Sequence, residues 1–63
     1  GGDLYRHEDD IYAWIGFWNG KMERHSVLLK NETLRLDVIN CYEGRVWAIK
    51  ALGEQEFVAI NHS

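Results

Sequence analysis

The stretch IYAWIGFWNGKMERHSVLL, residues 11–29, decides how this chain is read. Trp14, Phe17 and Trp18 fall within five residues, just ahead of Asn19-Gly20. Asn-Gly between apolar runs is the strongest short-range hairpin signal, because both central residues of a type I′ turn need positive φ. A two-residue turn there sets Trp18 opposite Lys21, Phe17 opposite Met22, Ile15 opposite Arg24, Trp14 opposite His25, Tyr12 opposite Val27 and Ile11 opposite Leu28. Strand alternation then sorts the hairpin into two faces. Ile11, Ala13, Ile15, Phe17, Met22 and Leu28 line one, and Tyr12, Trp14, Trp18, Lys21, His25 and Val27 line the other. Two features strain this register. Ile15 opposite Arg24 is a poor pair, and Gly16 within the strand signals a bulge or bend able to shift the pairing.

Turn signals recur at Asn31-Glu32, Glu43-Gly44 and Gly53-Glu54-Gln55, and the chain has no proline. The segments between them are rich in Val, Ile, Leu, Tyr and Trp. This spacing predicts an all-β meander of about five strands. A second hairpin turning at Glu43-Gly44 pairs Asp37 with Lys50, an opposite-charge contact across strands. It gathers Leu36, Val38, Trp47, Ile49 and Ala51 on one face, and the final EFVAINHS closes the sheet. The expected fold class is therefore mostly β: about five short antiparallel strands forming a small SH3-like or Sm-like barrel or a curled sheet, with space for a short N-terminal helical turn. A helix competes for the first third, where Leu4, Ile11, Trp14, Ile15 and Trp18 fall near helical spacing and Asp3 offers a cap. Aromatic and β-branched content favours strand.

Charge divides the chain in two. Asp3, Glu8, Asp9 and Asp10 against Arg6 leave residues 1–10 at −3, while residues 11–63 carry six basic and six acidic side chains. Residues 1–10 read as an acidic leader, a tag remnant or fragment boundary at Gly1-Gly2 followed by a flexible or short helical lead-in. Residues 11–63 form the small β domain. A neutral body argues against a duplex-DNA binder, which shows a basic stripe.

A 63-residue domain has a small core and gains from a disulfide, a metal or a partner. The single cysteine, Cys41, excludes an intramolecular disulfide and makes a poor zinc set. A partner remains, a second copy of the chain included. A lone thiol fits a reducing compartment, so a cytoplasmic location is expected. No run approaches the ~18 apolar residues of a membrane helix, and no membrane partner is expected.

There is no glycine-rich phosphate loop and no paired-cysteine motif, so no cofactor is implied. RHEDD, residues 6–10, sets His7 beside three carboxylates without the spacing of a calcium loop; it reads as a solvated leader, with no metal expected. Cys41 with His7, His25 or His62 offers a nucleophile and base whose spacing demands nothing, and a strand cysteine is more often a small buried hydrophobe. No enzyme is expected. The candidate partner-binding set is Tyr12, Trp14 and Trp18 with Lys21, Arg24 and His25. Buried, these rings are core; exposed, they are residue types that dominate protein contacts. The expected function is a non-enzymatic small binding module acting through protein–protein contact, self-associating through the aromatic face. The alternative is single-stranded nucleic-acid binding, with bases stacked on the same rings beside nearby Lys and Arg.

Overall fold

A computed structural model describes residues 1–41 and 44–62, with side chains at 1–39 and 44–60. Six strands follow one another: β1 (Gly2–His7), β2 (Asp10–Gly16), β3 (Lys21–Leu28), β4 (Thr33–Cys41), β5 (Arg45–Ala51) and β6 (Phe57–His62). A short 3-10 turn at Leu29–Asn31 separates β3 from β4. The strands form two antiparallel sheets, β1-β2-β3-β4 and β5-β6. The protein is mostly β, in two antiparallel sheets that do not close into a barrel: among the described residues β4 pairs with β3 alone and β6 with β5 alone.

The sixth strand comes from the acidic leader. Gly2–His7, expected as a flexible or helical lead-in, pairs along its length with β2, from Gly2 opposite Ile15 to His7 opposite Asp10. The cause lies in alternation. Leu4 and Arg6 face one way, while Asp3 and Tyr5 face the core, where Tyr5 packs at 6.4 Å on Tyr12. Asp3 Oδ2 accepts a hydrogen bond of 2.8 Å from the Ala51 backbone N–H. That contact draws the carboxyl of Asp3 below the usual carboxylate range, because a bonded N–H favours the charged form.

The β2–β3 connection departs from the two-residue turn. A type I′ turn needs positive φ at both central residues, and here only Gly20, at φ 87°, has it. Phe17 instead closes the loop, donating its N–H to Lys21 O at 3.0 Å and accepting from Gly20 N–H at 3.1 Å. Asn19 Oδ1 accepts from the Lys21 N–H at 3.1 Å. The loop is thus three residues, Trp18–Gly20, with glycine in the left-handed position. Every pair moves by one: Trp14 lies opposite Arg24, Ile15 opposite Glu23 and Gly16 opposite Met22. Because strand side chains alternate, this one-residue slip exchanges the faces of β3 relative to β2. Met22, Arg24 and Ser26 join Tyr12 and Trp14 on the inner side; Lys21, Glu23, His25 and Val27 join Ile11, Ala13 and Ile15 on the outer side.

The second hairpin is also different. Asp37 lies opposite Arg24, and Lys50 lies opposite Val58, so the expected Asp37–Lys50 contact is not made. Glu43 of the expected turn lies outside the described residues; Gly44 has φ 80°. The second sheet packs beside the first through β5. Phe17 O accepts a 3.0 Å bond from Val46 N–H, Asp3 meets Ala51, and His7 Nδ1 sits 3.2 Å from Glu54 Oε1. Later residues of one strand meet later residues of the other, so β5 and its following loop run in the direction of β1.

Between the sheets lies a small core of Trp14, Met22, Val46 and Ala51, bordered by Tyr5, Ile39, Ile49, Phe57 and Ala59. Trp14 is 1% exposed and stacks on Phe57 at 4.8 Å. Gly16 permits this closeness: a Cβ there would lie 2.5 Å from Val46 Cγ1 and 3.0 Å from Val46 O. The glycine marks close approach of β5, not a bulge. Gly16→Ala should cost ~1–3 kcal/mol by overpacking, read as a lower urea midpoint at unchanged slope. An unchanged midpoint would show that β5 does not press on Gly16.

Candidate interaction surface

The one-residue slip separates the six residues that the sequence offered as a binding set. Tyr12 and Trp14 are buried. Arg24 lies with them, its guanidinium carbon 5.5 Å from the Trp14 ring centre, within the range of a cation–π contact. Lys21 and His25 lie on the other side of the sheet, where Glu23 Oε2 meets Lys21 Nζ at 3.0 Å and Glu23 Oε1 meets His25 Nε2 at 2.9 Å. Trp18, on the β2–β3 loop, is 75% exposed, and the Arg45 guanidinium stacks on its ring at 3.6 Å.

Arg24 is held from three sides. Its Nη2 donates to Asp37 Oδ2 at 2.8 Å, its Nη1 to Glu54 O at 2.7 Å, and its guanidinium carbon lies over the Trp14 ring. Arg35 Nε adds a 3.3 Å bond to Asp37 Oδ1. The Arg24 hydrogen bond, first among these, holds the Asp37 carboxyl below its ordinary range. Beside this cluster a polar recess of about 150 Å³ is lined by Tyr12, Arg24, Ser26, Arg35 and Glu54. Burial, reinforced by the carboxylates of Glu54 and Asp10, pushes the Tyr12 phenol up. The recess admits only a few water-sized groups, and both of its cations, Arg24 and Arg35, already reach Asp37.

The larger feature is on the outer side. Cross-strand partners there form three rows: Leu4, Ala13, His25 and Leu36; Arg6, Ile11, Val27 and Leu34; Gly2, Ile15, Glu23 and Val38. Leu4 is 67% exposed, Leu34 80%, Leu36 55% and Val38 58%. A shallow depression of about 420 Å³ opens over Leu4, Ala13 and Ile15. The Lys21–Glu23–His25 line crosses this aliphatic face as a polar stripe. Glu23 is kept ionised by its neighbours: the His25 hydrogen bond, then that of Lys21, lowers its carboxyl below the ordinary range.

Sequence reasoning missed Leu34, Leu36 and Val38 as surface residues. The signal was present in TLRLDV, whose apolar and polar residues alternate. The assumed hairpin with β5 instead grouped Leu36 and Val38 with Trp47, Ile49 and Ala51 on one face. The side chains of Cys41 and His62 lie outside the described residues, and so does the role considered for them. His7 of RHEDD pairs with Glu54. Among the described residues no three His, Cys, Asp or Glu side chains converge, and no helix is long and apolar enough to cross a membrane. Comparison with protein families, with curated proteins and with solved structures finds no match to this chain.

Two measurements check this geometry. Trp14→Ala should cost ~3–5 kcal/mol, as much as the roughly 3–9 kcal/mol that holds a domain of this size together. It should unfold, whereas Trp18→Ala should keep its near-ultraviolet circular dichroism. The second concerns acid. Asp3, Glu23 and Asp37 have folded values below their unfolded ones, so their contribution is complete above the unfolded range near pH 4 and is lost as pH falls through the folded values. The urea midpoint should hold from pH 7 to 5 and drop below about pH 4, less steeply in Asp37→Asn after its own baseline loss. A midpoint flat to pH 2 contradicts the three contacts.

Proposed function

We propose that this chain is a non-enzymatic binding module that works by protein–protein contact through the outer face of its four-stranded sheet. The observation that carries the reading is the run of exposed aliphatic side chains on β4, Leu34, Leu36 and Val38. Exposed apolar side chains gathered along one strand of a small domain mark a contact site. The aromatic set first considered supports it less well, since Tyr12 and Trp14 fill the core.

The polar stripe supplies the discrimination that a purely apolar face lacks. Glu23 is mostly covered, with 14% of its side chain exposed, while His25 beside it is 45% exposed. Its Nε2 already meets Glu23. A partner must therefore meet the other ring nitrogen with a polar group or leave it outside the contact; covering that nitrogen unpaired carries a desolvation cost. Charge complementarity of this sort selects partners more than it adds affinity.

The nucleic-acid reading draws less support. A single-strand binder needs free cations along a track of rings. Here Lys21 is paired to Glu23 and Arg24 to Asp37, and Arg45 lies over Trp18.

The test compares two double variants. Leu34→Lys with Val38→Lys should keep the folded tryptophan spectrum and lose binding to the partner that the parent chain captures. Val58→Lys with Ile60→Lys, on the second sheet, should keep that binding. Equal capture by the first variant contradicts the proposal, and oligonucleotide binding that falls steeply with salt would favour the nucleic-acid alternative.

A further inference from the structure

The four-stranded sheet ends at β4, whose second edge has no strand partner among the described residues. An exposed edge presents a row of backbone N–H and C=O groups ready to pair with another strand. Natural edges are blunted by charged side chains (lysine above all), proline, a bulge, inward-pointing charges or shortness. β4 is nine residues long and contains neither lysine nor proline. Its two inward charges, Arg35 and Asp37, are opposite in sign, so they bar like-charged registers and leave a self-complementary one open. Its bulge sits at its far end, where Met22 pairs with Asn40 and Glu23 with Val38, leaving Ile39 unpaired. The left-handed Glu32, at φ 52°, ends the strand on the other side. Regular strand therefore runs from Thr33 to Val38.

Resting on the surface assigned above, we propose that a second copy of this chain occupies the β4 edge. The two strands pair antiparallel, with a two-fold axis at Leu36, and join the two sheets into one of eight strands. The side chains choose this register. Strand alternation requires that residues facing the same side pair with each other, so the axis must pass through a residue of β4. An axis at Arg35 sets two arginines opposite each other, and an axis at Asp37 sets two carboxylates opposite each other; both are destabilising. At Leu36 every pair is favourable. Arg35 of each copy meets Asp37 of the other, Leu34 meets Val38, and Leu36 meets itself.

Three apolar pairs then line the outer face, where Leu34, Leu36 and Val38 now meet water. Two Arg–Asp pairs line the inner face. Asp37 keeps its 2.8 Å bond to Arg24 and gains a guanidinium from across the axis. Arg35 can exchange its own Asp37 for the other copy's, since its side chain is 63% exposed and its present bond is a long 3.3 Å. A two-fold contact is self-complementary by construction, and residues 35 and 37 satisfy that demand with opposite charges. β6, an edge of the second sheet, lacks this signature: its residues 57–60, Phe-Val-Ala-Ile, carry no charge to select a register or an occupant.

The experiment uses Leu36 because the axis makes it its own neighbour. The parent chain, Leu36→Lys, Leu36→Glu and an equal mixture of the two variants are followed by sedimentation equilibrium over a broad dilution series. Near-ultraviolet circular dichroism verifies that each is folded. The parent should be a reversible dimer. Each single variant, with like charges facing across the axis, should dissociate at a concentration roughly tenfold higher. The mixture should restore a heterodimer close to parental affinity. A parent that stays monomeric throughout overturns self-pairing, and so does dimerisation that neither variant weakens. Variants that weaken without rescue in the mixture overturn the register. The binding reading fails separately, when Leu34→Lys with Val38→Lys leaves partner capture intact.

Discussion

The cation–π contact between Trp14 and Arg24 is the one on which the rest of the structure depends. It brings the largest apolar side chain of β2 over the one guanidinium of β3 that faces inward. Burying an indole of about 200 Å² at about 25 cal/mol/Å² is worth about 5 kcal/mol, comparable with the entire stability of so small a domain. Arg24 in turn reaches Asp37 on β4 and the carbonyl of Glu54 in the β5–β6 loop. One side chain thereby ties three strands of the first sheet to the loop that closes the second. With the Gly16–Val46 approach at the other end, two short-range constraints hold the sheets together around a core of few residues.

That economy has a consequence on the outside. A chain that spends both large rings of β2 and the inner residues of β3 on one thin core has nothing left to cover the reverse of its four-stranded sheet. The aliphatic side chains of β1 and β4 stay in water, divided by a charged stripe on β3. Each feature has a local cause, namely alternation along a strand whose polar partners, Arg35 and Asp37, are needed inside. Their joint result is a surface and an edge suited to another strand.

Much of the fold was legible in the sequence. β-rich segments, their turn residues and the pairing of residues 11–16 with 21–28 followed from composition and punctuation. The register did not, because Asn-Gly serves both a two-residue turn and a three-residue loop with glycine last. The choice was made by Phe17 O, which accepts from Gly20 and also from Val46, a partner in a distant strand. The leader was misjudged for a related reason: four carboxylates in ten residues suggested solvation, yet Asp3 caps the backbone of Ala51 and the alternation of Leu4 and Tyr5 suits an edge strand. Of the proposed binding set, residue type was readable and sidedness was not.

The claim from which the rest follows is that β2 and β3 pair with Trp14 opposite Arg24. Cross-strand nuclear Overhauser effects between backbone protons of residues 11–16 and 22–28 test it directly. The account predicts contacts joining Trp14 with Arg24, Ala13 with His25 and Ile15 with Glu23. Contacts joining Trp14 with His25 and Ile15 with Arg24 would contradict it, return His25 to the aromatic face and remove the outer surface as described.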